Sequence, residues 1–573
     1  MIPGGRRRHL IWIYLWQLHH QTMKLIRMDW PQGTQDKTPS SQGNHRQERV
    51  GDEQLEAEDI IPGGEDQTGG DDSHQDEPGP RQKWGLLLGP LLFALLLAAP
   101  TPAGMNVEAK RALATAVWIA IWWVTEAIPI PATSLLPIVL FPLTGAVSVA
   151  DAAAPYSNPN VFLFLGGFTI AMCIERWNLH RRIALYIIFW VGTTANRLIL
   201  GFMVATAFLS MWISNTASTM MMMPIGLAVI LQIARMIQEQ GVEGIDVRQG
   251  HFTFGTCLML SIAYAASIGG VATLIGSPPN IIFAGVAEQL FDVSIGFFQW
   301  FTYGLPISVV FLFLAWLYMT RWAYPPQLEG IPGGREYVEQ ELKGLGPMTR
   351  PEKSIAAVFT AVALAWVSRP FLLEALFPEI NDALIAIAGA VVTFIIPVRA
   401  KGAYFLNDWD TALRIPWGIL LLFGGGLSMA GAFADTGLAE WMGEHLSALA
   451  GFPMIVIMLA VVTMVIYLTE VTSNTAITSM MMPIMASMAA AMEVHPFALM
   501  ITAATAASYA FMLPVATPPN AVIFGSGYMS IPQMVRAGVW LNLLGVVLLT
   551  LFAYFWLPVI WRIDIGIFPP AWK

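Results

Sequence analysis

The sequence predicts an all-α polytopic membrane protein, with about eleven transmembrane helices plus two re-entrant hairpins in an inverted repeat. Three observations predict it. The 573-residue chain is 55% hydrophobic and only 12% charged, with mean hydropathy +0.58; soluble domains carry about 25% charged residues. Apolar stretches of spanning length follow one another from residue 84 to residue 560. A polar, helix-breaking motif also occurs twice inside apolar stretches, as Ser214-Asn215-Thr216 and Ser473-Asn474-Thr475.

Residues 1–83 stand apart. They are rich in Gly, Gln, Asp, Glu and Pro and read as a disordered cytoplasmic extension. Arg6-Arg7-Arg8-His9 before Leu10 to Leu18 resembles a signal peptide only loosely. Its apolar core is short and no small-residue cleavage site follows, so an amphipathic surface segment or an extension upstream of Met23 or Met28 is the better reading. The net charge of −9 reflects the acidic run from Asp52 to Glu77 and carries no information on substrate.

The expected spans are 84–100, 111–128, 132–146, 160–176, 254–290 (broken), 297–322, 353–375, 382–397, 416–434, 496–527 (broken) and 531–560. Stretches 197–234 and 452–492 hold the Ser-Asn-Thr clusters at their middles. A helix–break–helix of that length reads as a re-entrant hairpin with the motif at its tip. Basic residues set the orientation. Arg81, Lys83, Arg176, Arg181, Arg182, Arg197, Arg321, Arg335, Lys343, Arg350, Lys353, Arg399, Lys401 and Arg414 share one side if the N-terminus is cytoplasmic; Lys110 and Arg111 are the exceptions. The C-terminus then lies outside.

The repeat extends beyond the motif. Phe164-Leu165-Gly166-Gly167 opens one unit, about 132–322, and Leu422-Phe423-Gly424-Gly425-Gly426 opens the other, about 382–560. A basic segment (Arg176, Arg181, Arg182) follows the first opener and an acidic one (Asp435, Glu440, Glu444) the second. Opposite charge on equivalent segments places the two units in opposite senses across the membrane. Both Ser-Asn-Thr motifs precede Met-rich runs, Met220 to Pro224 and Met480 to Pro483. Each is answered downstream by Gly276-Ser277-Pro278-Pro279-Asn280 or Ala516-Thr517-Pro518-Pro519-Asn520. The first motifs are offset by 473 − 214 = 259 and the second by 518 − 278 = 240, so the first unit holds an insertion near Gln238 to His251.

Broken helices leave backbone N–H groups free at one end and carbonyls at the other. The former attract anions; the latter, with Ser, Thr and Asn oxygens, suit a hard cation. No Arg or Lys lies at the tips. The chemistry is that of a cation-coupled carrier of small anions, with a site where irregular backbone lines a cavity. A single Ser-Asn-Thr reads equally well as a local cap; the duplication with its partner motif favours the site. An ion channel or a membrane enzyme fits poorly: no metal-spaced ligands and no nucleophile–base pair stand in a span. Glu126 and Glu175 read as hydrogen-bonded interfacial acids, His180 as interfacial, and Met220 to Met223 as adaptable packing. Glu470 reads equally as a cap or as an ion relay. Cys173 and Cys257 form no framework.

Residues 84–565 resemble the divalent anion:sodium symporter family, the sodium-coupled di- and tricarboxylate carriers. The resemblance rests on Trp122 to Pro129 (WWVTEAIP), Glu175 to Arg182 (ERWNLHRR), Leu468-Thr469-Glu470 and both Pro-Pro-Asn elements. It implies a scaffold domain and a mobile transport domain, an elevator mechanism and a homodimer. It also implies one sodium site at Ser210, Ser214, Asn215 and the Gly276 backbone, and a second at Thr469, Asn474 and the backbone of Thr472 and Ala516. Substrate carboxylates would meet Asn215, Thr216, Ser277, Asn474, Thr475, Thr517 and Pro518. The expected protein is a non-enzymatic inner-membrane symporter of Na⁺ with succinate, malate or fumarate, and no nucleic-acid partner. A sodium-independent dicarboxylate exchanger, or a sulfate or tricarboxylate symporter, is the alternative.

Overall fold

In a bilayer the backbone must satisfy its own hydrogen bonds, and apolar runs without period-two alternation do so as helices. The computed structural model describes residues 79–572, apart from 193, 240–244, 328–333, 401–402 and 447–450. The extension before residue 79, and residues 240–244 of the insertion expected near Gln238 to His251, lie outside the described residues. Eight described helices are long and apolar enough to cross a membrane, and five shorter apolar helices of 10–17 residues accompany them. Helix ends fall close to expectation: Trp417–Asp435 for 416–434, and Phe297–Tyr318 running on to Ala323 for 297–322. Val107–Thr125, capped by Asn106 through the Ala109 N–H, carries Glu108, Lys110 and Arg111 on its first turns.

The all-α expectation needs one correction. Pro397–Ala400 and Ala403–Phe405 pair as a two-stranded antiparallel ribbon. It turns the chain back after helix Asp382–Ile395, where the Leu406 and Asn407 N–H groups donate to the Ile396 and Thr393 carbonyls. Val398, Tyr404 and Phe405 favour extended backbone at this reversal.

The two glycine-rich openers are close-packing sites. A Cβ on Gly166 would stand 2.5 Å from the Ala386 carbonyl carbon, and one on Gly425 2.5 Å from the Ser134 carbonyl oxygen. Helices Pro159–Arg176 and Trp417–Asp435 therefore approach neighbouring backbone directly. The basic segment forms helix Leu179–Val191. Arg182 pairs with Glu352 at 2.9 Å and Arg181 with Glu341 at 2.6 Å, and Arg182 also donates to the Leu345 and Gly346 carbonyls. His180 is buried against the protein, with Nδ1 3.3 Å from the Ile174 carbonyl.

Four interrupted elements matter for function. The first hairpin is Ala195–Ser210 with Asn215–Glu239, and the second is Met454–Thr469 with Asn474–Ala491. The first broken helix is Thr253–Gly270 with Pro278–Phe291, and the second is Pro496–Ala507 with Pro518–Phe524. The first broken helix and the first hairpin touch backbone to backbone: a Cβ on Gly269 would lie 2.3 Å from the Ala207 oxygen and 2.4 Å from its Cα. Backbone cannot yield as a side chain does, so Gly269→Ala is expected to destabilise by about 1–3 kcal/mol. A fall in the detergent unfolding midpoint checks this; an unchanged midpoint would show the contact to be looser.

Candidate functional site

Each break is closed by the asparagine of its Pro-Pro-Asn element. Asn280 Nδ2 donates to the carbonyls of Gly270 (3.0 Å) and Thr273 (2.7 Å). Asn520 Nδ2 donates to Ala510 (3.1 Å) and Leu513 (3.0 Å). The offsets are the same in both halves: 280 − 270 = 520 − 510 and 280 − 273 = 520 − 513. One amide thus satisfies two carbonyls freed by the unwinding, which an apolar surround would otherwise leave at high cost. Both Oδ1 atoms are buried without a partner.

The breaks meet each other. Ser277 Oγ lies 2.9 Å from Ser508 Oγ, both buried. Tyr264 stacks edge-on with Phe511 at 5.1 Å, so the first broken helix also lies against the second break.

Each hairpin tip docks on its own break. In the first half the Ser210 hydroxyl donates to the Ala266 carbonyl at 2.7 Å, and Thr273 Oγ1 donates to the Met211 carbonyl. Ser210 has only one proton to give. Asn215 Oδ1 nevertheless stands 2.5 Å from Ser210 Oγ, and the same position lies 3.2 Å from the Ala266 oxygen and 3.1 Å from the Gly276 oxygen. With the amide turned over, its nitrogen would donate to all three. With the oxygen inward, four oxygens face one another. In that orientation the single Ser210 proton is the one hydrogen they share, and the remaining oxygen lone pairs suit a small hard cation. A Cβ on Gly270 would stand 2.4 Å from Asn215 Oδ1, so the glycine makes room for this approach. Of the expected first cation set, Ser210, Asn215 and Gly276 come together; the Ser214 hydroxyl instead caps the helix at the Ala217 N–H, 3.2 Å.

In the second half the Thr469 hydroxyl bonds the Val465 and Ile466 carbonyls, and the Thr472 hydroxyl the Leu468 carbonyl. Both side chains are spent within their own helix, which leaves Thr472 the backbone role expected of it. Asn474 Oδ1 is buried and unpartnered. Ala516 and Thr517 are buried, Pro518 is exposed, and the Thr517 hydroxyl accepts from the Asn520 N–H at 3.4 Å.

Anion capacity is distributed unevenly. Prolines 278, 279, 518 and 519 have no N–H, so the broken-helix N-termini lose two donors each. The hairpin tips have no such loss. Ser214 and Ser473 cap Ala217 and Ala476, and the N–H groups of Asn215, Thr216, Asn474 and Thr475 make no hydrogen bond among the described residues. Free amides at the start of helices Asn215–Glu239 and Asn474–Ala491 suit carboxylates. Thr216 and Thr475 are half-buried there.

The sequence reading left Glu470 open, and the structure assigns it as a cap. Its carboxylate accepts from the N–H groups of Phe511 (2.8 Å), Met512 (2.9 Å) and Leu513 (3.0 Å) and from Asn542 Nδ2 (2.7 Å). Asn542 went unremarked, although a lone Asn within an apolar span signals a partner. Ser508 had no signal: its equivalent in the first half, 508 − 240 = 268, is Ile268. Glu126 is exposed at a left-handed helix end. Among the described residues no group of His, Cys, Asp or Glu could hold a transition metal.

The profile of the sodium:sulfate symporter transmembrane region matches residues 81–562. The sodium-dependent dicarboxylate transporter SdcS of Staphylococcus saprophyticus is 44% identical over 484 residues, covering 84% of this chain and 92% of that protein. Its counterpart in Staphylococcus aureus strain RF122 is 45% identical over 485 residues, with the same coverage. Among solved structures, the Alcanivorax borkumensis YdaH transporter is similar with a TM-score of 0.50 over 84% of this chain and 98% of that one. At 14% identity that likeness is one of fold.

Proposed function

This chain belongs to the sodium:sulfate symporter family, the divalent anion:sodium symporters, and on that premise we propose that it carries C4-dicarboxylates such as succinate, malate or fumarate across the membrane together with Na⁺. Two relatives of 44% and 45% identity bear the name sodium-dependent dicarboxylate transporter. The observation that carries the reading is the oxygen cluster of Ser210, Asn215, Ala266 and Gly276 beside the free amides of a Ser-Asn-Thr tip. A cation there supports the anion site next to it, and each raises the other's affinity.

Sodium occupies Ser210, Ser214, Asn215 and Gly276 in the first half, and Thr469, Thr472, Asn474 and Ala516 in the second. The two carboxylates of the substrate meet Asn215, Thr216 and Ser277 on one side and Asn474, Thr475, Thr517 and Pro518 on the other. With no fixed cationic side chain at the tips, affinity depends on the bound ions, so release follows when they leave. The matched bonds of Asn280 and Asn520 support a repeat of about 132–322 and 382–560 within a transporter domain of 84–565. Eleven spans with two re-entrant hairpins, a scaffold and a moving domain working as an elevator, a homodimer, and an inner-membrane setting with the N-terminus cytoplasmic complete the reading.

The test is uptake of labelled succinate into proteoliposomes holding the full chain. Uptake is expected to follow an inward Na⁺ gradient and to be competed by malate and fumarate. Uptake indifferent to Na⁺ but dependent on internal dicarboxylate would make the protein an exchanger. Competition by sulfate or citrate instead would move the substrate class.

A further inference from the structure

The two halves differ at one place where the repeat should make them alike. Position 470 corresponds to position 211, since 470 − 259 = 211, and position 513 corresponds to 273, since 513 − 240 = 273. Both pairs tie a hairpin tip to its break. In the first half the tie is neutral, from Thr273 Oγ1 to the Met211 carbonyl. In the second it is charged, from the Leu513 N–H to the Glu470 carboxylate at 3.0 Å.

Glu470 is 3% exposed and has no Lys or Arg partner among the described ion pairs. Its charge is held by three consecutive backbone N–H groups and the Asn542 amide. Successive amides of this kind form an anion-binding concavity, and this one is filled by the protein's own carboxylate. Left empty, it would strand the half-buried Met512 and Leu513 N–H groups, the Phe511 N–H keeping Asn542 Oδ1 at 3.2 Å, and draw an outside anion towards the second break. No cationic side chain among the described residues neutralises it, and it stands next to Thr469 and two residues before Thr472 in the chain, tied to the break three residues before Ala516.

We propose that Glu470 is a positioning residue for the second sodium site: a resident anion that fixes the unwound 511–513 backbone and supplies the negative charge that favours a cation at the neighbouring oxygens. The first half, with Met211 in that place, lacks this charge, so the two cation sites differ in affinity. This rests on the sodium-coupled reading above.

The test measures initial succinate uptake in proteoliposomes against Na⁺ at saturating succinate, and against succinate at saturating Na⁺. Glu470→Gln removes the charge and turns an amide NH₂ towards the 511–513 donors. Its half-saturating Na⁺ is expected to rise about tenfold, while half-saturating succinate at high Na⁺ changes less than about threefold, the split that lost charge complementarity produces. Glu470→Asp should fall between Gln and wild type. Asn542→Ser, which removes the amide donor to Glu470 and the Oδ1 acceptor of the Phe511 N–H but keeps the charge, should raise half-saturating Na⁺ by no more than about threefold. It also decides the matter if Glu470→Gln fails to yield a monodisperse protein. A larger effect of Asn542→Ser on succinate than on Na⁺ would overturn the proposal, as would unchanged Na⁺ dependence in Glu470→Gln. A Na⁺-independent wild type would instead overturn the symport reading beneath it.

Discussion

Asn215→Ala is expected to lower Na⁺-driven succinate uptake by about 100-fold or more, the scale of removing one group from a preorganised polar site. The side chain has two roles at one point. Its amide end faces Ser210 Oγ, the Ala266 carbonyl and the Gly276 carbonyl, where its oxygen turned inward would hold a cation, and its backbone N–H opens the helix at the tip. Alanine keeps the backbone and deletes the oxygen, so the loss isolates the cation ligand. Folding should survive, because Ser210 still bonds Ala266 and Thr273 still bonds Met211. Asn474→Ala should match it through the buried, unpartnered Oδ1. Near-normal uptake by either variant, at equal protein in the vesicles, would remove that residue from the site.

Asn280→Ala should act on the fold before it acts on transport. Its amide nitrogen holds the Gly270 and Thr273 carbonyls, both within a buried segment, while the Val271 carbonyl keeps the Trp300 indole N–H at 2.9 Å. Each stranded buried acceptor costs about 1–3 kcal/mol, so the variant is expected to lose several kcal/mol and much of its folded yield in detergent. Asn520→Ala strands the Ala510 carbonyl alone, since the Leu513 carbonyl keeps the Ala516 N–H, and should be milder. The measurement is the unfolding midpoint of each variant in one detergent. Equal midpoints for wild type and Asn280→Ala would show that the breaks are held open by something other than these amides.

Much of this was legible in the chain. Interruptions in apolar stretches announced themselves because Ser-Asn-Thr and Pro-Pro-Asn cannot continue a membrane helix without compensation. Their duplication in the same order, at offsets of 259 and 240, makes a paired architecture readable from spacing, with an insertion in the first unit. The openers were visible as glycine runs, and the structure explains them as backbone approaches at Ala386 and Ser134. The ribbon at 397–405 escapes a sequence reading because a nine-residue reversal between helices leaves no period to detect.

Ligand chemistry divided differently. The residue types at the tips pointed to a small anion and a hard cation, since hydroxyls, amides and helix ends can serve both without a fixed charge. Which atoms do so could not be read from order in the chain. Ser210 turns to Ala266, Ser214 caps its own helix, and the Thr469 and Thr472 hydroxyls fold back on their own turns, all decided by side-chain direction. Glu470 shows the same division: its cost in a membrane is evident from composition, but the three amides that hold it lie 41 to 43 residues away. Local sequence determined where the helices must break, because a break is a matter of proline, glycine and backbone donors near one another in the chain. Only the tertiary structure decided what fills each break, because those partners arrive from elements distant in sequence.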